Sequence, residues 1–210
     1  MLKKGGLTNG LQQWYLGNEK QDKGGRLMER VHATIVAVLQ ALGGPVHRTK
    51  LVKLIYLIDE LFYRHFDQTL TGLNYMWDDF GPNAIGNAVV KEADRLALKG
   101  IVHIDPRANY YGETSYLYSL EQGKGGLAQK LSDGERYVIR DVVAHYRNYG
   151  VRAIVKESKQ TEPFKNSQQH GILKMKKSAE YEKLIQDVKS APDFMQGIEE
   201  AVRMFEENPR

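Results

Sequence analysis

Histidine and cysteine are the residues where enzyme or metal chemistry would first be sought in this sequence. None of the 210 residues is cysteine, which excludes thiol catalysis, thiolate metal sites and disulfides. The histidines form no i, i+4 pair and stand at no metal-ligand spacing from carboxylates. They are His32, His47, His65, His103, His145 and His170. We therefore predict no catalytic residue, no metal site and no cofactor.

Two other segments have residue types found in binding sites but lack the full pattern of one. Gly123-Lys-Gly-Gly126 lacks the leading glycine and the Ser or Thr of a phosphate-binding loop, so we interpret it as a linker. Asp78 and Asp79 are adjacent acids in a predicted loop, a pattern that is usually solvated. No Gly-x-Ser-x-Gly elbow is present. The sequence therefore predicts a protein that is not an enzyme.

One carboxylate does stand out, because Asp59 lies on a segment that is apolar nearly all round. A helix with this pattern is normally buried, and a buried carboxylate without partners costs several kcal/mol. Tyr56 and Tyr63 fall on the same side of the helix as Asp59. We predict that Asp59, with Tyr56, is a structural pin that accepts bonds from loop amides or a tyrosine hydroxyl. A direct role in ligand binding is the alternative.

Periodic apolar residues and helix-ending signals predict the elements around Asp59. One helix should span 27–42 and end at Gly43-Gly44-Pro45, and the next should begin at Thr49 as N-cap. An irregular loop should follow over 67–82. Asn83 should then cap a third helix that ends at Gly100 and buries Ile85, Val89, Ala93 and Leu96.

Two strands, 101–105 and 116–120, should follow as an antiparallel pair. Three helices followed by this pair favour a mainly α fold with a small antiparallel β wing, a winged-helix-like core with C-terminal helices. The predicted organisation is a flexible arm over 1–26, the core over 27–122 and a helical part over 127–210 that packs on the core.

The helical part begins with Ser132 and Glu135, which fit a capping box. A short helix is expected at 151–157, followed by a polar loop. Two further helices are expected at 181–188 and 193–207. The sequence leaves the oligomeric state open.

Composition sets only broad limits on function. No run of eighteen apolar residues is present, and the N-terminus lacks the apolar stretch of a secretory signal, so we expect no membrane segment and a cytoplasmic location. The formal net charge of +4 permits contact with nucleic acid or with an acidic partner without requiring either.

The segment from Lys53 to Pro82, KLIYLIDELFYRHFDQTLTGLNYMWDDFGP, resembles the start of the Panacea domain of the SocA-like antitoxin family. That family has a KLLYYAD-type helix, a Gly-x-Pro-Leu-Thr-Gly turn, a Tyr and a Gly-Pro. The matching residues are Lys53, Leu54, Tyr56, Asp59, Leu70, Thr71, Gly72, Tyr75, Gly81 and Pro82. The later segment LSDGERYVIRDVVAHYRNYGVRAIVKESKQTEPF looks like the second half of the family, and the resemblance covers Met28 to Phe164.

Four positions depart from the family pattern. Asp67 stands in place of Gly, Thr69 in place of Pro, Lys159 in place of His and Phe164 in place of Trp. Phe164 can still fill an apolar slot. The departures put in doubt any family-specific role of the second motif.

The resemblance implies an antitoxin that binds and neutralises a cognate toxin, or an adaptor that delivers the toxin to a protease. Clustered Tyr and Trp are typical of interface cores. We therefore expect the partner to contact the loop and the helix after it. The predicted partner-binding residues are Leu70, Thr71, Gly72, Tyr75, Trp77, Phe80, Gly81 and Pro82.

A DNA-binding transcriptional regulator is the alternative function. Asn87, Lys91 and Arg95 lie near one face of the third helix, where a recognition helix would present donors to base edges. Arg107, in the predicted wing loop, could reach a neighbouring groove. Glu92 and Asp94 on the same helix oppose this interpretation, since they would repel phosphates.

Overall fold

The structure is a computed structural model that describes residues 23–108 and 112–175. Most of the predicted arm and both helices predicted near the C-terminus, 181–188 and 193–207, lie outside the described residues. The first helix, α1, is Lys23–Leu42. It therefore includes residues 23–26, which were predicted from the sequence to be part of a flexible N-terminal arm. Glycine in a helix costs only about 1 kcal/mol, so Gly24 and Gly25 do not prevent this extension.

The helix α1 ends as predicted at Gly43, which has φ +68° and donates its N–H to the carbonyl of Leu39. A two-residue strand, β1 (Val46–His47), leads directly into α2 (Arg48–Phe66). The predicted N-cap at Thr49 is therefore wrong, because His47 occupies the cap position without a side-chain bond. Strand pairing of β1 fixes where α2 begins.

Most residues of α2 between Leu51 and Phe62 are buried, as the apolar pattern predicted. They pack with α1 and with residues from each later part of the described chain in one hydrophobic core. This central position of α2 places its few polar side chains where they can bond to several other elements.

The predicted irregular loop over 67–82 is wrong in its second half, which forms a hairpin. Strands β2 (Tyr75–Asp78) and β3 (Gly81–Ala84) pair from Tyr75 opposite Ala84 to Asp78 opposite Gly81. The outer edge of β2 is covered by residues 171–173, since Trp77 N–H donates to the Gly171 carbonyl at 2.8 Å. This pairing comes from a segment nearly a hundred residues later in the chain.

The third helix, α3, is Ala88–Leu98, after a 3₁₀ turn at Ile85–Asn87. Asn83 does not cap it, because Asn83 lies in β3 and its amide donates to Asp78 and Asn87. Val89, Ala93 and Leu96 are buried as predicted, whereas Ile85 is 44% exposed.

The predicted strand pair is confirmed and is longer than expected. Strands β4 (Val102–Ala108) and β5 (Thr114–Leu120) are antiparallel, and β1 pairs with the other side of β5. The sheet order is β1-β5-β4. The described fold is thus mainly α with small antiparallel sheets.

The C-terminal part of the described chain packs on the same core. A 3₁₀ helix at Gly125–Lys130 contacts α1, and α4 (Asp133–Tyr146) begins with the predicted Ser132–Glu135 capping box. Helices α5 (Val151–Ser158) and α6 (Glu162–Lys165) follow, and α5 contacts α2. Among the helices that the structure describes, none is long and apolar enough to cross a membrane.

Candidate functional site

The carboxylate of Asp59 is fully buried and accepts hydrogen bonds from two residues of the segment after α2. Thr71 donates its backbone N–H to Oδ1 at 2.9 Å and its hydroxyl to Oδ2. Tyr75 donates its hydroxyl to Oδ2 at 2.5 Å. Thr71 and Tyr75 are themselves buried, so this network lies within the core. Asp59 was expected to accept bonds from loop amides or a tyrosine hydroxyl, and the structure shows such bonds from the amide of Thr71 and the hydroxyl of Tyr75.

Burial and hydrogen bonding act in opposite directions on this carboxyl group. Burial disfavours the charged form and raises the pKa of Asp59 to about 6, although the bonds from Thr71 and Tyr75 favour the carboxylate. The pKa of the Tyr75 hydroxyl is raised well above its ordinary value by burial and by the charge of Asp59. Tyr75 therefore remains a proton donor to Asp59.

Tyr56 contributes to the same cluster in a different way from the one predicted. Its ring edge contacts the ring of Tyr75, with centroids 5.1 Å apart. Its hydroxyl bonds to the Thr161 hydroxyl at 2.6 Å, just before α6. Tyr56 thus connects α2 to the C-terminal part and supports Tyr75 from the side.

Lys53 is a second buried polar residue on α2, for which no role was predicted from the sequence. Its ammonium donates to the carbonyl of Pro82 at 2.7 Å, and the residue is 3% exposed. Burial lowers the pKa of Lys53 to about 8. Asp59 thus holds the segment that enters the hairpin, while Lys53 holds strand β3. A lysine on an otherwise apolar helix was the available signal.

The outer layer of the hairpin is held by residues from the C-terminal part. The rings of Trp77 and Phe164 stack at a centroid distance of 4.8 Å, and Phe164 is buried, which confirms that it fills an apolar slot. Lys159 lies 5.8 Å from the Trp77 ring centroid and donates to the carbonyl of Asp79 at 2.7 Å. Gln169 bonds to the Asp79 carboxylate at 3.3 Å.

Phe80 lies at the tip of this hairpin and is 73% exposed. The next residue, Gly81, has φ +88°, and a Cβ there would lie 3.1 Å from the Ser158 hydroxyl. Both the backbone conformation and the close packing favour glycine at this position. Phe80 is therefore exposed to solvent, while the residue after it, Gly81, is packed against Ser158 and Lys159.

The eight predicted partner-binding residues divide into two groups. Phe80 and Gly72 are exposed and Trp77 is half-buried. The prediction of a contact surface is corrected for the others, because their burial removes them from contact with a partner. These are Leu70, Thr71, Tyr75, Gly81 and Pro82.

The predicted DNA-contacting residues lie on or near α3 and on β4. Asn87, Lys91 and Arg95 are exposed. Arg95 forms an ion pair with Glu92 at 2.5 Å, and Arg107 forms one with Asp105 at 2.8 Å. Both guanidinium groups are therefore already paired with carboxylates.

Residues 51–165 match the family described as "Antitoxin SocA-like, Panacea domain". The match covers more than half of the chain and includes α2 from Leu51 onwards, the hairpin and Phe164. The chain therefore belongs to the SocA-like antitoxin family and carries a Panacea domain. Neither a curated protein nor a solved structure matches the chain.

Replacing Asp59 should destabilise the fold more than removing one of its donors. Asp59→Ala leaves the donors of Thr71 and Tyr75 buried without an acceptor, and we expect a loss of about 3 kcal/mol in unfolding free energy. Tyr75→Phe should cost about 1 kcal/mol. Denaturant unfolding at about pH 4, where the ionisation of Asp59 does not oppose folding, measures both, with Tyr137→Phe at a 66% exposed position as the matched control. Equal stability of Asp59→Ala and the wild type would contradict the assigned role.

The raised pKa of Asp59 predicts how stability changes with pH. Between its ordinary value of 3.8 and the folded value of about 6, the folded state binds more protons than the unfolded state. Stability from this group is therefore complete below about pH 4 and is lost as pH rises through 6. Relative to Asp59→Asn, the wild type should lose about 3 kcal/mol of unfolding free energy between pH 4 and 7. A relative gain over that range would mean that hydrogen bonding outweighs burial.

Proposed function

We propose that this protein neutralises a cognate toxin by direct binding and that Phe80 is the main contact residue. Membership of the SocA-like antitoxin family supports a protein partner. We choose the hairpin as the contact surface because the Phe80 side chain is 73% exposed. The residues on either side of it in the hairpin, Asp79 and Pro82, are hydrogen-bonded to the rest of the protein. Contiguous exposed apolar surface with polar groups at its edge is typical of protein–protein contact sites.

The bonds below Phe80 reduce the entropic cost of binding. Lys53 holds Pro82, Lys159 and Gln169 hold Asp79, and residues 171–173 cover the outer edge of β2. A hairpin that is held in one conformation before binding loses little freedom when a partner docks. An aromatic residue on such a support has the properties of a hot spot.

The contact surface extends beyond Phe80 along the hairpin. Trp77 is half-buried against Phe164, and the ammonium of Lys159 lies near its ring. Ile172, in the segment that pairs with β2, is 65% exposed. The surface thus combines exposed apolar side chains with the ammonium of Lys159 and the carboxylate of Asp79. Protein interfaces commonly have such an apolar centre with polar groups around it. We propose that the toxin presents an apolar pocket to Phe80.

The element order provides a second candidate function. Three helices with β1 between the first two, followed by β4 and β5 in a β1-β5-β4 sheet, resemble the order of a winged helix, although the hairpin β2–β3 is inserted between α2 and α3. Such a fold can place α3 in a DNA groove, with Asn87 and Lys91 toward the bases. The ion pairs of Arg95 and Arg107 weaken this candidate, because DNA binding would have to replace them. Leu98, 90% exposed on α3, also suits a protein surface better than a phosphate backbone.

Phe80→Ala should weaken partner binding while leaving the fold intact. With the protein encoded by the neighbouring gene as ligand, we expect at least a tenfold rise in Kd, which corresponds to about 1.4 kcal/mol. Leu98→Ala is the matched control, since Leu98 is also apolar and exposed but lies on α3. Calorimetric titration of purified proteins measures both. Equal binding by Phe80→Ala and the wild type, or equal weakening by Leu98→Ala, would contradict the proposed surface.

A further inference from the structure

A cleft of about 470 Å³ lies between α2, α4 and α5. Neither Phe80 nor any other residue of the hairpin lines it. Its floor is apolar and includes Leu57 and Val142, which are 6% and 4% exposed. Tyr146 from α4 forms part of its wall and is supported by edge contacts with His145 and Tyr149. The cleft can therefore take up the aliphatic part of a side chain.

The charges around the cleft are unbalanced. Glu60 is paired with Arg64 at 3.0 Å. Three further carboxylates, those of Asp141, Glu157 and Glu162, line the cleft, and within residues 23–108 and 112–175 none of them forms an ion pair. The surplus is therefore negative in a chain whose formal net charge is +4.

Two neighbouring groups respond to these carboxylates. Burial raises the pKa of Glu60, and the charge of Glu162 adds to the effect. Burial also raises the pKa of the Tyr146 hydroxyl, with Glu157 contributing. The carboxylates on the rim are thus close enough to act on the groups that line the cleft, and a bound cation would relieve this repulsion.

Arg64 also lines the cleft, and its side chain is 43% exposed. Its guanidinium is paired with Glu60, so it does not neutralise the other three carboxylates.

We propose that this cleft binds an arginine side chain of a partner polypeptide. The apolar floor takes up the methylene groups, which arginine readily buries while its charged end remains hydrated. The planar guanidinium can stack on Tyr146 and bind a rim carboxylate through two parallel hydrogen bonds, neither of which an ammonium group can do equally well.

The test is a titration of the full chain with acetyl-Gly-Arg-Gly-amide, followed by backbone amide chemical shifts. We expect saturable shifts at Leu61, Val142 and Tyr146, and none with the norleucine peptide, which has a similar stem without charge. The double variant Glu157→Gln/Glu162→Gln should raise the Kd at least fivefold. The same spectra show whether each variant is folded.

The matched control is Asp105→Asn/Glu121→Gln, which removes the same charge from half-buried positions of the sheet region. If this control weakens binding equally, or if shifts spread over the acidic surface, the attraction is non-specific and the proposal is wrong. Spermidine binding as tightly as the arginine peptide would also overturn it. Phe80→Ala leaves the cleft unchanged, so this proposal and the proposed function can fail separately.

Discussion

The fold around the candidate site depends on the buried carboxylate of Asp59. A carboxylate in a core needs several donors, and the donors here come from residues 12 and 16 positions later in the chain. The segment after α2 must therefore turn back so that Thr71 and Tyr75 reach the same helix face. This requirement, more than any local preference for strand, fixes where β2 begins and directs the hairpin across α2.

Lys53 completes the attachment six residues earlier on α2. Its bond to the Pro82 carbonyl holds the returning strand, so one helix holds both the entry to β2 and strand β3. The C-terminal part then fixes the outer side through Phe164, Lys159 and residues 171–173. Residues far apart in the sequence thereby support one exposed side chain, Phe80. Lys159 and Phe164 stand where the family pattern has His and Trp, and both residues contact the hairpin in this chain.

Much of the helical structure could be predicted from the sequence, because apolar spacing, the glycines after α1 and the Ser132–Glu135 capping box are local signals. The hairpin could not, since β3 begins with Gly-Pro and its partner segment at residues 171–173 is remote. Asp59 could be identified because a charge on an apolar helix is conspicuous. The burial of Tyr75 could not, because an aromatic residue in a loop is typical of both a core and a contact surface.

Hydrogen exchange of the backbone amides in Asp59→Asn tests most directly whether this carboxylate holds the hairpin. We expect the amides of β2, β3 and the paired residues 171–173 to exchange faster as a group, while those of β4 and β5 keep wild-type rates, because only the hairpin opens locally. Wild-type exchange in the hairpin, or an equal increase throughout both sheets, would contradict it.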